Sequence, residues 1–113
     1  MNILLHPTFY IRNLKEAKKI KVLAEKSKKK VNLIYSYQYS IWQGSVLIKQ
    51  IEGEIESRFI NFFIECPKNQ NRLISYLKAG IKKYTSNFFE KNKIKLIELI
   101  EISDGFFFFE REI

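Results

Sequence analysis

The chain has 113 residues, a formal net charge of +8, 46% hydrophobic and 15% aromatic residues, which excludes a disordered chain and suffices for one core in a single domain over residues 1–113. A lone cysteine, Cys66, excludes an internal disulfide, and a lone histidine, His6, excludes a metal site of repeated Cys and His. No run approaches the roughly 18 apolar residues of a membrane span, and the first residues lack the basic stretch of a secretory signal.

The expected location is therefore inside the cell, in soluble form. Heavy use of Ile, Lys, Asn and Phe fits AT-rich coding, in a bacterial cytoplasm or an organelle, which leaves open whether the lysine excess reflects function or codon bias.

In chain order, Pro7 lacks an N–H for a ladder, so a first strand begins near Thr8 and runs through Phe9, Tyr10 and Ile11. Asn13 with Glu16 three residues on has capping-box spacing, and Leu14, Ala17, Ile20, Leu23, Ala24 and Ser27 repeat at helical period to about Lys28. Val31, Leu33, Tyr35, Tyr37, Tyr39 and Ile41 then alternate with mainly polar residues, the period-2 pattern of a strand with one buried face.

After a turn at Gly44, Val46 to Ile51 and Ile55 to Cys66 are expected as strands, separate or bent at Gly53. Both faces of the second carry large apolar side chains, which predicts a central strand covered on both sides. Pro67 suits the first position of a second helix, whose stripe is Leu73, Tyr76, Leu77, Gly80, Ile81, Tyr84 and Phe88. Ile94 to Ile102 is expected as a strand, and Asp104-Gly105 as a hairpin turn returning through Phe106 to Phe109. No internal repeat is evident. The order predicts an α+β fold: a mainly antiparallel sheet in ferredoxin-like βαββαβ order plus a C-terminal hairpin strand, with two basic helices on one face.

Charge is the main functional signal. Residues 12–30 sum to +7 and residues 66–95 to +7, whereas residues 31–65 sum to −2 and residues 96–113 to −4. Two basic helices on one face would form a broad positive field suited to phosphates. The expected nucleic-acid contacts are Lys15, Lys18, Lys19, Lys26, Lys28, Lys29 and Lys30, extended by Arg72, Lys78, Lys82 and Lys83. Lysine dominates over arginine, which suits diffuse phosphate attraction and weak sequence specificity. The bland alternative is a pair of solvated lysine-rich faces.

Phe9-Tyr10-Ile11-Arg12-Asn13-Leu14 resembles the first-strand motif of RNA recognition motif domains, a resemblance that implies a base-stacking role for Tyr10. Residues 56–63 do not supply the companion third-strand motif. Tyr35, Tyr37 and Tyr39 share a strand face and are further stacking candidates, although such a stripe is more often core. Cys66 ahead of Pro67 is expected to be a buried, inert thiol, because no base accompanies it.

No catalytic set, metal or cofactor is called for, and enzymatic activity is not the favoured reading. The first expectation is a small nucleic-acid-binding protein, a subunit or accessory of a larger nucleoprotein assembly. The alternative is a non-catalytic protein-interaction module of assembly or immunity type, using an aromatic strand surface against a protein partner or a second copy of itself.

Overall fold

The computed structural model describes residues 6–36, 44–67, 69–86 and 93–109. Strands and helices alternate: β1 (Thr8–Ile11), α1 (Leu14–Ser27), β2 (Val31–Tyr35), α2 (Ser45–Glu54), β3 (Ile60–Glu65), α3 (Gln70–Lys78), β4 (Lys83–Ser86), α4 (Lys93–Ile102) and β5 (Phe106–Phe109). The five strands form one sheet in the order β1-β2-β3-β4-β5, and every neighbouring pair is parallel. The fold is therefore α/β, with an all-parallel sheet in place of the expected antiparallel, ferredoxin-like one.

Parallel neighbours need a crossover, and each crossover here is a helix. Ala17 and Ala24 of α1, Ile48 and Ile51 of α2, Leu73 and Tyr76 of α3, and Leu96 and Ile100 of α4 join one core with Ile11, Leu33, Tyr35, Phe62, Ile64 and Tyr84. In the strand register Ile11, Tyr35, Ile64 and Tyr84 lie side by side, so all four described helices cover the same sheet face. Sequential strand order, with crossovers that follow the usual right-handed rule, places these helices on one side. The strands start at residues 8, 31, 60, 83 and 106, spacings of 23, 29, 23 and 23. The fold thus repeats a strand–helix unit that the side chains do not repeat.

The other sheet face buries Asn32, Ile34, Asn61, Phe63 and Thr85. Across it Asn61 Nδ2 donates to Asn32 Oδ1 at 3.1 Å and Asn32 Nδ2 to Thr8 Oγ1 at 3.3 Å. These residues share one register row over β1, β2 and β3. A one-residue slip would break both rungs and turn Asn32 and Asn61 into the apolar core, so the row pins the register.

Several elements differ from expectation for identifiable reasons. Residues 46–51 are helical because Ile48, Ile51 and Ile55 bury at helical spacing while Val46 stays 78% exposed. Ile94 to Ile102 is likewise helix, since Leu96 and Ile100 bury four residues apart. Asp104-Gly105 ends that helix and makes no hairpin: Asp104 takes the left-handed conformation (φ 59°) and Gly105 N donates to Ile100 O at 2.8 Å.

The second helix starts after Pro67, at Gln70, with Asn69 Oδ1 accepting from Arg72 N. It ends at Lys78, and the stripe expected to continue through Tyr84 to Phe88 instead turns at Gly80 (φ 89°) into β4, Phe88 lying outside the described residues. The expected cap of α1 is present, with Asn13 Oδ1 accepting from Glu16 N at 2.9 Å. Among the described residues no helix is long and apolar enough to cross a membrane.

Candidate nucleic-acid interface

In an all-parallel sheet every strand starts at the same end. Lys28, Lys29 and Lys30 lead into β2, Arg58 into β3, and Lys82 with Lys83 into β4; all six are exposed. Because β2, β3 and β4 are consecutive in the sheet, these cations gather on one rim. Two strand spacings make it roughly 10 Å wide. Lys26 and Lys78, in the last turns of α1 and α3, are exposed at the same end.

Local chemistry shapes this rim. The Arg58 guanidinium lies 4.8 Å from the Phe59 ring centroid, and Lys83 Nζ 5.9 Å from that of Phe63, so both cations rest on aromatic faces that limit where they reach. The helix C-termini here carry partial negative charge, which offsets part of the lysine charge. An open recess of about 410 Å³ abuts the rim, lined among others by Lys49, Glu52, Ile55, Glu56, Lys82 and Lys83. Its acids and bases are mixed, and Lys49 Nζ is held by Glu52 Oε1 at 2.6 Å and by the Gly80 carbonyl at 3.1 Å.

The remaining expected contacts lie elsewhere. Lys15, Lys18 and Lys19 are exposed along α1, and Lys18 Nζ pairs with Glu54 at 3.7 Å. Arg72 is partly buried in the first turn of α3, at the opposite end of the sheet from the rim. The two basic helices do share one sheet face, but they do not touch as a continuous field. Lys21 Nζ donates to the Glu54 carbonyl from one side of α2, and Ser45 of α2 meets Ser75 of α3 at 3.4 Å on the other. α2, with Glu52 and Glu54, therefore separates them.

Tyr35 is fully buried, edge-on to Phe62 with ring centroids 6.4 Å apart, so its ring is core and is not presented to a base. Tyr10 is 53% exposed, whereas Tyr37 and Tyr39 lie outside the described residues. Arg58 was missing from the expected contacts. It is an isolated cation in sequence, and only the parallel direction of β2, β3 and β4 brings it beside the two lysine clusters.

At the opposite end Arg12 is engaged by Glu16, whose carboxylate accepts from Arg12 N at 2.8 Å and Nε at 3.1 Å. The Arg12 hydrogen bonds hold the Glu16 carboxyl below its ordinary range. Cys66 is buried, its Sγ 3.5 Å from the Pro67 carbonyl. Among the described residues no cluster of His, Cys, Asp and Glu could hold a metal ion. No protein-family model matches the chain, and no curated protein sequence matches it.

Proposed function

We propose that the protein binds the phosphate backbone of nucleic acid through the rim where β2, β3 and β4 begin. The observation that carries this reading is the convergence of Lys28, Lys29, Lys30, Arg58, Lys82 and Lys83 on neighbouring strand starts. A rim roughly 10 Å wide faces a length of B-form duplex that carries about six phosphates, about three on each strand. Five of the six are lysines, which attract phosphate without the planar fork that reads a base edge, and binding would be weakly sequence-specific. Among the described residues Tyr10 is the one exposed tyrosine that could stack an unpaired base.

The test is binding of short single-stranded and duplex oligonucleotides across a salt series, for the native protein and for the triple variant Lys28→Glu, Lys29→Glu, Lys30→Glu. Native binding should weaken steeply with salt, and the triple variant should lose at least tenfold in affinity with a slope shallower by about 3. Lys15→Glu with Lys19→Glu, on the exposed side of α1, should matter less. Equal affinity and slope for native protein and triple variant would sink the reading, as would no native binding at low salt.

A further inference from the structure

We infer that the recess beside the rim takes an unpaired nucleotide at the end of a strand, with its base inside and its phosphate on Lys82. The inference rests on the phosphate reading of the rim and adds an occupant for the space next to it. The recess, of about 410 Å³, falls in the size range of small-ligand sites. It lies on the helix side of the sheet, between the end of α2, the turn at Gly80 and the start of β3.

Its surfaces differ in chemistry. Ile60 and Phe62 alternate onto the helix side of β3, and Ile55 is fully buried where α2 ends. Together they make an apolar floor for a flat ring. Lys49 bridges Glu52 and the Gly80 carbonyl and so braces one wall. The loop on the other side is held by its own backbone: Glu56 N donates to the Gly53 carbonyl at 3.4 Å, and Ile60 N to the Ser57 carbonyl at 3.1 Å. Two exposed charges at the mouth are uncommitted. Among the described residues the Glu56 carboxylate and Lys82 Nζ make no hydrogen bond or ion pair.

Position decides which charge meets which part of the ligand. Lys83 leans over Phe63 on the opposite sheet face, so Lys82, one residue earlier, is the rim cation on the recess side. The last carbonyls of α2, with Glu52 and Glu56, make the interior electronegative. A phosphate therefore stops at the rim, and the group that enters carries N–H donors. A nucleotide joins both parts: phosphate for Lys82, a flat ring for the floor, and an amine for Glu56. Adenine, cytosine and guanine each have an exocyclic amine to donate to a carboxylate, whereas thymine has none. In a duplex the ring is stacked between its neighbours, so the occupant is an unpaired end.

Fluorescence anisotropy with hairpin duplexes that are blunt or end in one unpaired nucleotide provides the test. An overhanging dA, dC or dG should raise affinity over the blunt hairpin by about fivefold, and an overhanging dT by about twofold at most. Glu56→Gln, whose amide both donates and accepts, should erase the difference between dT and the others while the blunt hairpin keeps its salt slope. An overhanging 2-aminopurine should become shielded from acrylamide quenching in the complex. Blunt-hairpin binding with no overhang advantage overturns the inference and leaves the rim reading standing, whereas no binding of any hairpin at low salt removes both. An advantage equal for all four bases and unchanged in Glu56→Gln also overturns it. So does free adenosine monophosphate that binds as tightly as the overhang, because the occupant is then a loose nucleotide and not a strand end.

Discussion

Gly105 is where replacing one hydrogen by a methyl group should have the largest effect for its size. A β-carbon there would sit 2.7 Å from Ile100 Cγ2, 2.9 Å from the Lys82 carbonyl oxygen and 3.0 Å from the Ile100 carbonyl oxygen. Both carbonyls are in use: Lys82 O accepts from Phe106 N at 2.7 Å, and Ile100 O from Gly105 N at 2.8 Å. Relief would pull α4 or β5 away from β4. Overpacking of this kind costs about 2–3 kcal/mol, against about 0.5–1 kcal/mol gained by restricting the unfolded chain. Gly105→Ala should therefore lose about 2 kcal/mol. With an unfolding entropy of about 240 cal/mol/K for a chain this size, that lowers Tm by about 8 °C. Gly53, inside α2 with nothing within 4 Å of its β-carbon position, is the control. Gly53→Ala should raise Tm by about 2–4 °C through helix propensity. Thermal and urea unfolding followed by circular dichroism measure both. A Gly105→Ala protein as stable as the native one would refute the packing argument.

Two further outcomes follow from buried polar groups. Tyr84 Oη donates to the Ile81 carbonyl at 2.6 Å, and burial pushes its phenol well above the ordinary range, with Cys66, Tyr76 and Glu52 adding to the effect. A raised native pKa means stability is full below the unfolded value of about 10 and falls as pH rises above it, by up to about 1.4 kcal/mol per pH unit. Tyr84→Phe should be less stable at pH 7 by about 1–2 kcal/mol, the lost hydrogen bond. Its deficit should shrink in urea titrations above pH 10, and a deficit constant with pH would contradict the assignment. Asn32→Leu should cost about 2–3 kcal/mol by stranding its partners on Thr8 and Asn61. Adding Asn61→Leu should then cost less than the same change in the native protein. Additive losses in that double-mutant cycle would show that the row is not a coupled ladder.

Part of this fold is legible in the sequence. The Asn13–Glu16 cap and the Ala17–Ala24 spacing locate α1, and the strand expected from Ile55 to Cys66 is present over the shorter range Ile60–Glu65, because Ile55 ends the preceding helix. Strand direction is not written in such local patterns. It follows from the crossovers, and two of the four helices are built from residues that also suit strands. Val46, Ile48 and Ile51 are mostly β-branched, and Ile94, Leu96 and Ile100 fall at even spacing, so burial decides what propensity leaves open. Asp104-Gly105 serves a hairpin or a helix end equally well, because both need a left-handed residue before a close approach. The candidate interface was legible as charge but not as place. Lys28 to Lys30 and Lys82 to Lys83 are plain in the chain, yet their shared rim, and Arg58 between them, exist only once β2, β3 and β4 run in parallel.

The succession of strand–helix units has a consequence for how the chain acquires and loses its structure. Among the described strands no paired residues lie more than 29 positions apart, the separation of Val31 and Ile60. Each closure therefore carries a similar, modest entropic cost, and none must wait for a distant segment. Folding can start at the β2–β3 pair, where both strands are most deeply buried, and grow outward unit by unit. Unfolding then runs in reverse, from β1 and β5 inward, with the central amides the last to exchange with solvent.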